Sequence, residues 1–166
     1  APTSMIRFGH HRRYSPERTW EPLSETEYAV LSPFLFRAAE TEMATRWCAR
    51  RESGGPVYLR LGRAGEPILN RHGWSFGKVQ WLRLGATAVP TCILSYGPIM
   101  TRAIEVGKRL NAAVANVHTL KPLDLDGLQH IFNLYTRIVV IEECAPNGGL
   151  AMQVRAFAQE HGATCR

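Results

Sequence analysis

Four places along the chain combine residue types and spacing that can do chemistry. Arg60 and Arg63 flank Leu61-Gly62 at the end of an apolar run. A guanidinium grips phosphate through two parallel hydrogen bonds, so Arg63, the better placed of the two, is a candidate phosphate ligand. Surface salt bridging is the alternative. His118 closes a second apolar run ahead of Thr119 and Lys121. It is either an acid–base group working near neutral pH or a hydrogen-bonded structural histidine. Glu142-Glu143 ends a third run, Arg137 to Ile141. Carboxylates at the carboxyl edge of a parallel sheet stand where α/β proteins bind ligands, whereas a capped or salt-bridged pair does no chemistry. Gly148-Gly149 follows that strand and opens a helix. The free N–H groups there can hold an anion, or the glycines only permit a sharp turn.

Other chemistries find no foothold. The chain has no dinucleotide fingerprint, phosphate-binding P-loop, His-Glu-x-x-His or nucleophile elbow. Cys48, Cys92, Cys144 and Cys165 are too widely spaced for a zinc knuckle or a redox pair and read as buried thiols. The net charge of +6 is carried mostly by arginine. It is scattered through periodic segments, with no basic arm or interleaved aromatics, which argues against nucleic-acid binding and suits an enzyme of phosphorylated substrates. No apolar run approaches the ~20 residues that span a bilayer, and no signal-like segment opens the chain. A cytoplasmic protein that does not bind membranes is expected.

These residues need elements to position them, and the 166 residues, 45% of them hydrophobic, can bury a sizeable core. Residues 1–25, rich in Arg, Pro and Ser, read as irregular. Tyr28 to Leu31 and Val57 to Leu61 read as strands. Between them Ser32-Pro33 opens a helix with a stripe of Leu35, Ala39, Met43 and Trp47, stopped at Ser53-Gly54-Gly55-Pro56. Gly62 to Gly77, dense in glycine, marks a boundary. Beyond it strands are expected at Lys78–Leu82, Thr91–Ser95, Ala112–Val117 and Arg137–Ile141. Helices are expected from Pro98 (Ile99, Ala103, Val106 and Leu110 inward), after an Asp124 cap (Leu125, Leu128 and Phe132 inward), and over Leu150–Glu160. Strands alternating with single helices predict a three-layer α/β/α fold on a mostly parallel, mixed sheet.

Three segments, in order and spacing, resemble the transketolase family. Gly55-Pro56-Val57-Tyr58-Leu59-Arg60-Leu61-Gly62-Arg63 is similar to the last strand of the pyrimidine-binding domain. Asn116-Val117-His118-Thr119-Leu120-Lys121-Pro122-Leu123-Asp124 is similar to a segment of the carboxy-terminal domain. Ile138 to Glu143, then Gly148-Gly149-Leu150, resembles the family's strand and Gly-Gly-Leu turn. Gly77-Lys78 and Leu94-Ser95-Tyr96-Gly97 fall in step, so the match runs from about Val30 to Glu160.

The resemblance implies the tail of a pyrimidine-binding domain over residues 1–63, a linker over 64–77, and a transketolase carboxy-terminal domain over 78–166, incomplete at its end. It implies thiamine diphosphate and magnesium in a full assembly and none held by this chain alone. It further implies transfer of a two-carbon ketol unit between sugar phosphates, in a homodimer or with an amino-terminal half as partner. Arg63 falls where the family places an arginine on the substrate phosphate. His118, Glu142 and Glu143 inherit no catalytic role, the carboxy-terminal domain serving packing and the dimer. Ser15-Pro16-Glu17 aligns just after the family's active-site histidine. Arg13 holds that histidine's place, and Arg18 replaces an acid, while His10 and His11 lie out of step. The segments that bind diphosphate and metal are expected before residue 1, and the family's last strand and helix find no counterpart. Related thiamine enzymes share this tail, among them deoxyxylulose phosphate synthase and the beta subunit of 2-oxo acid dehydrogenases. A non-catalytic interaction module of the same fold is the remaining alternative, favoured by Arg13 and Arg18.

Overall fold

In the computed structural model, the described residues are 12–14, 20–22, 29–31, 38–50, 55–60, 75–143 and 147–162. The elements run β1 (Arg12–Tyr14), β2 (Trp20–Pro22), β3 (Ala29–Leu31), α1 (Ala38–Ala49), β4 (Val57–Leu59), β5 (Gln80–Arg83), β6 (Thr91–Ser95), α2 (Met100–Leu110), β7 (Ala113–Asn116), β8 (Thr119–Lys121), α3 (Leu125–Leu134), β9 (Arg137–Ile141) and α4 (Leu150–Glu160).

The central sheet has the order β5-β7-β6-β9. β6 lies parallel to both β7 and β9, and β5 is antiparallel to β7. All of β6 and β7 is buried, as an apolar strand covered on both faces requires. Alternate side chains divide between the two faces. Cys92, Leu94, Ala113 and Ala115 pack with Leu128 and Ile131 of α3 and Leu150, Val154 and Phe157 of α4. Ile93 and Val114 pack with Met100 and Ala103 of α2. The expected α/β/α layering on a mixed sheet is therefore present. β9, at the end of the strand order, alternates between exposed and half-buried positions.

A second sheet joins the two halves of the chain. β3 pairs in parallel with β4 and antiparallel with β8, with Leu31 opposite Thr119 and Val30 opposite Lys121. Strand β8 lies across the expected 64–77 linker from its partner. Its three residues, Thr119-Leu120-Lys121, follow His118 directly and are too few for a periodic signal, so only the pairing reveals a separate strand. A cis Lys121–Pro122 bond follows it.

Several details differ from the sequence reading. Residues 12–22 contain a short antiparallel pair, Arg13 opposite Glu21, where irregular chain was expected; strands of three residues are too short for alternation to register. On α2 the buried stripe is Met100, Ala103 and Gly107, while Leu110 is exposed. The helix is turned toward its glycine, which lets it sit close on Val114. On α3, Leu128 and Ile131 are buried, and Leu125, in the first turn beside the cap, is exposed. Of the expected stripe on α1, Leu35 lies outside the described residues, as do the side chains of Ala39 and Met43. Trp47 is half-buried and stacks on Phe76 at 3.4 Å between ring centroids.

Candidate functional site

The described chemistry gathers at the carboxyl ends of β7 and β9 and along the segment 118–124. At the first of these the apparent anion site is already filled. Helix α4 starts after Gly149, which offers no side-chain cap, so its first N–H groups need an acceptor. Glu142 provides one. Its Oε2 accepts from Leu150 N at 2.7 Å and its Oε1 from Ala151 N at 3.1 Å. Tyr96 donates its hydroxyl to the same Oε2 at 3.2 Å. The carboxylate is the anion that the helix N-terminus attracts. A Cβ on Gly149 would collide with that carboxylate, so the glycine is what allows the close approach. Of the two readings of Glu142-Glu143, Glu142 follows the capping one, and Glu143 is exposed.

The 118–124 segment is a polar knot. His118 is 1% exposed, and its Nδ1 lies 2.9 Å from Thr119 Oγ1. That oxygen also accepts from Gly77 N at 3.2 Å. Burial pushes the imidazole pKa down to about 4, the nearby Asp124 charge opposing only in part. The ring is therefore neutral at pH 7, which matches a hydrogen-bonded structural histidine. Three residues beyond β8, Asp124 caps α3 by accepting from Gly127 N at 3.1 Å. It also accepts from Val79 N at 2.8 Å and from Lys78 Nζ at 3.1 Å. Burial raises its pKa, but the N–H groups of Val79 and Gly127 and the Lys78 ammonium more than offset this, and the carboxyl titrates below its usual range.

Arg60 is exposed just past the end of β4. Arg63 lies outside the described residues, as do His10, His11 and Arg18. Arg13 lies on β1. His118 lies between β7 and β8 and Glu142 just past β9, and each is tied to other groups, His118 to Thr119 and Glu142 to Tyr96 and the start of α4. Sequence reasoning saw Asp124 as a helix cap but missed Thr119 and Tyr96 as partners. The signal was thin, since the groups they bind lie 42 to 46 residues away in the chain.

Among the described residues no group of three or more His, Cys, Asp or Glu side chains could hold a metal ion. These residues do not fit a metal-bridged diphosphate. No described helix is long and apolar enough to cross a membrane.

An α/β/α domain on a mixed sheet, tied by a polar segment to a strand pair that precedes it, defines the class of protein. Within that class, residues 77–166 match the family model described as Transketolase, C-terminal domain. The chain belongs to the transketolase family, whose enzymes depend on thiamine diphosphate. A 1-deoxy-D-xylulose-5-phosphate synthase of Neisseria gonorrhoeae is 26% identical over 143 residues, covering 85% of this chain and 20% of that protein. An uncharacterized transketolase family protein of Sinorhizobium fredii is 35% identical over 123 residues, covering 69% of this chain and 31% of that protein. A solved structure, a split-gene transketolase in an inactive beta4 tetramer, superposes with a TM-score of 0.70 at 30% identity, covering 81% of this chain and 45% of that one. The chain thus spans between a fifth and a third of the length of these curated relatives.

Proposed function

We propose that this chain is the carboxy-terminal portion of a transketolase-like enzyme that moves a two-carbon ketol unit between sugar phosphates, and that it is inactive by itself. The observation that carries this reading is the family match over residues 77–166, supported by the superposition on a transketolase made as separate gene products. In the assembly a second subunit, or a homodimeric partner with an amino-terminal half, supplies the seat for thiamine diphosphate and magnesium. Residues 1–63 form the tail of the pyrimidine-binding domain, 64–77 the linker and 78–166 the carboxy-terminal domain. Arg63 grips the phosphate of the sugar substrate, and the carboxy-terminal domain supports that arm and the subunit contact. The assembly works in the cytoplasm.

One observation favours a second reading. Relatives that align over 85% of the chain include 1-deoxy-D-xylulose-5-phosphate synthases, which are thiamine enzymes too. The test mixes this chain with a supplied amino-terminal half and assays ketol transfer and 1-deoxy-D-xylulose 5-phosphate formation side by side. Ketol transfer in the mixture and in neither part alone is the expected result. Formation of the deoxy sugar phosphate alone supports the second reading. Silence in both assays, with the halves shown to associate, overturns both and leaves an interaction module. With Arg63→Ala, KM for the phosphorylated acceptor should rise by about tenfold or more, as expected for a lost charge-assisted contact.

A further inference from the structure

Both ends of the stretch that carries Arg63 are fastened to one short segment. On the upstream side, β4 ends at Leu59; β4 pairs with β3, and β3 pairs with β8. On the downstream side, Gly77 N–H donates to Thr119, and Lys78 and Val79 donate to Asp124. Thr119 begins β8 and Asp124 lies three residues past its end. Asp124 further ties the segment to the first turn of α3 through Gly127 N–H. Thr119 also holds the buried His118. Among the described residues, the segment 118–124 therefore touches the β3–β4 pair through β3, the far end of the linker and the carboxy-terminal core.

We propose that this segment is a clasp that sets the position of the β3–β4 pair against the carboxy-terminal domain, with Asp124 and Thr119 as positioning residues for the phosphate-binding arm. The clasp itself stands on the described contacts. Its consequence for substrate rests on the reading of Arg63 as phosphate ligand. The contacts have few substitutes. The Asp124 carboxylate accepts three hydrogen bonds, one of them from a lysine, and an isosteric amide cannot accept all three. Thr119 offers its single oxygen to two partners, so valine removes both bonds at nearly constant shape.

The test is amide hydrogen exchange in the full chain, which reports local opening, on Asp124→Asn, Thr119→Val, Thr119→Ser and Lys78→Ala. A clasp predicts that D124N and T119V each speed exchange by about tenfold or more. The faster exchange should appear at Gly77 and Val79, at residues 29–31, and also at residues 57–59, whose strand pairs with β3 rather than with β8. T119S, which keeps the hydroxyl, should retain protection, and K78A, which removes one of the three donors to Asp124, should speed exchange less than D124N does. Faster exchange confined to the direct partners overturns the clasp. Should D124N unfold the chain, the T119V and T119S pair decides the question alone.

In the reconstituted enzyme, T119V should raise KM for a phosphorylated acceptor several-fold, with kcat and the KM of the dephosphorylated acceptor held. If R63A loses the phosphate preference and T119V keeps it, the positioning role is wrong while the Arg63 reading stands. If R63A keeps the preference, the Arg63 reading fails, and the clasp is judged on exchange.

Discussion

Lowering the pH should loosen this chain through His118 well before the carboxylates titrate. The imidazole is 1% exposed, and burial holds its pKa near 4 against an ordinary 6.5. Between those values the unfolded chain binds a proton that the folded chain refuses. Stability therefore rises with pH through this window and falls as the pH drops from 6.5 toward 4. Each pKa unit is worth about 1.4 kcal/mol, so acidification from about pH 7.5 to about pH 5 removes roughly 2 kcal/mol. In urea, with a slope of about 2 kcal/mol/M, the midpoint moves down by roughly 1 M. Asp124 acts lower. Its folded pKa is depressed, so its stabilisation is lost only as the pH falls below the ordinary carboxyl value of 3.8. Urea midpoints for the native chain and for His118→Asn, taken at several pH values across this range, separate the histidine from every other group. The native chain should show the slope and the variant should lack it. Equal slopes in the two proteins would refute the argument, because the pH dependence would then belong to other residues.

Three further outcomes follow from the packing. Glu142→Ala should destabilise by about 1–3 kcal/mol, since α4 loses its cap and the Tyr96 hydroxyl its acceptor; chemical denaturation gives the value, and a change within error would mean that water caps the helix equally well. Gly107→Ala would gain about 1 kcal/mol on an open helix face. Here the new Cβ meets Val114 Cγ2, so a net loss of about 1–2 kcal/mol is expected in thermal melts, and a gain would show that α2 can shift freely. Burial raises the thiol pKa of Cys48 to about 11 and of Cys92 to about 12. A disulfide reagent at pH 8 should therefore label these two only as the chain unfolds, and native labelling of Cys92, mapped by mass, would contradict its place in the core.

The carboxy-terminal elements were legible because their signals are local. Arg137–Ile141 and Leu150–Glu160 match the expected bounds, one from a run of β-branched residues and the other from a Gly-Gly start and a glycine stop. On α2, Ala103 and Val106 face inward as expected, and Leu110 does not, for a physical reason. Apolar periodicity weighs side chains, and the buried position in the last turns of that helix is Gly107, which has none. The polar contacts were less legible still. Asp124 is recognisable as a cap from its place before an apolar helix, but nothing near it in sequence says that Val79 and Lys78 complete its shell. The Gly148-Gly149 turn resembled an anion site because the helix start there does hold one, the carboxylate of Glu142 just past the end of β9. Arg63, together with Arg18 and the histidines near it, lies outside the described residues, so the substrate-phosphate role stands on the resemblance alone.

The central claim is that this chain is one part of a divided thiamine site. Calorimetry of thiamine diphosphate with magnesium, first into the chain alone and then into the chain mixed with an amino-terminal half, tests it most directly. Binding that appears only in the mixture is the predicted result. Tight binding by the lone chain would contradict it, as would no binding in the mixture once the halves are shown to associate.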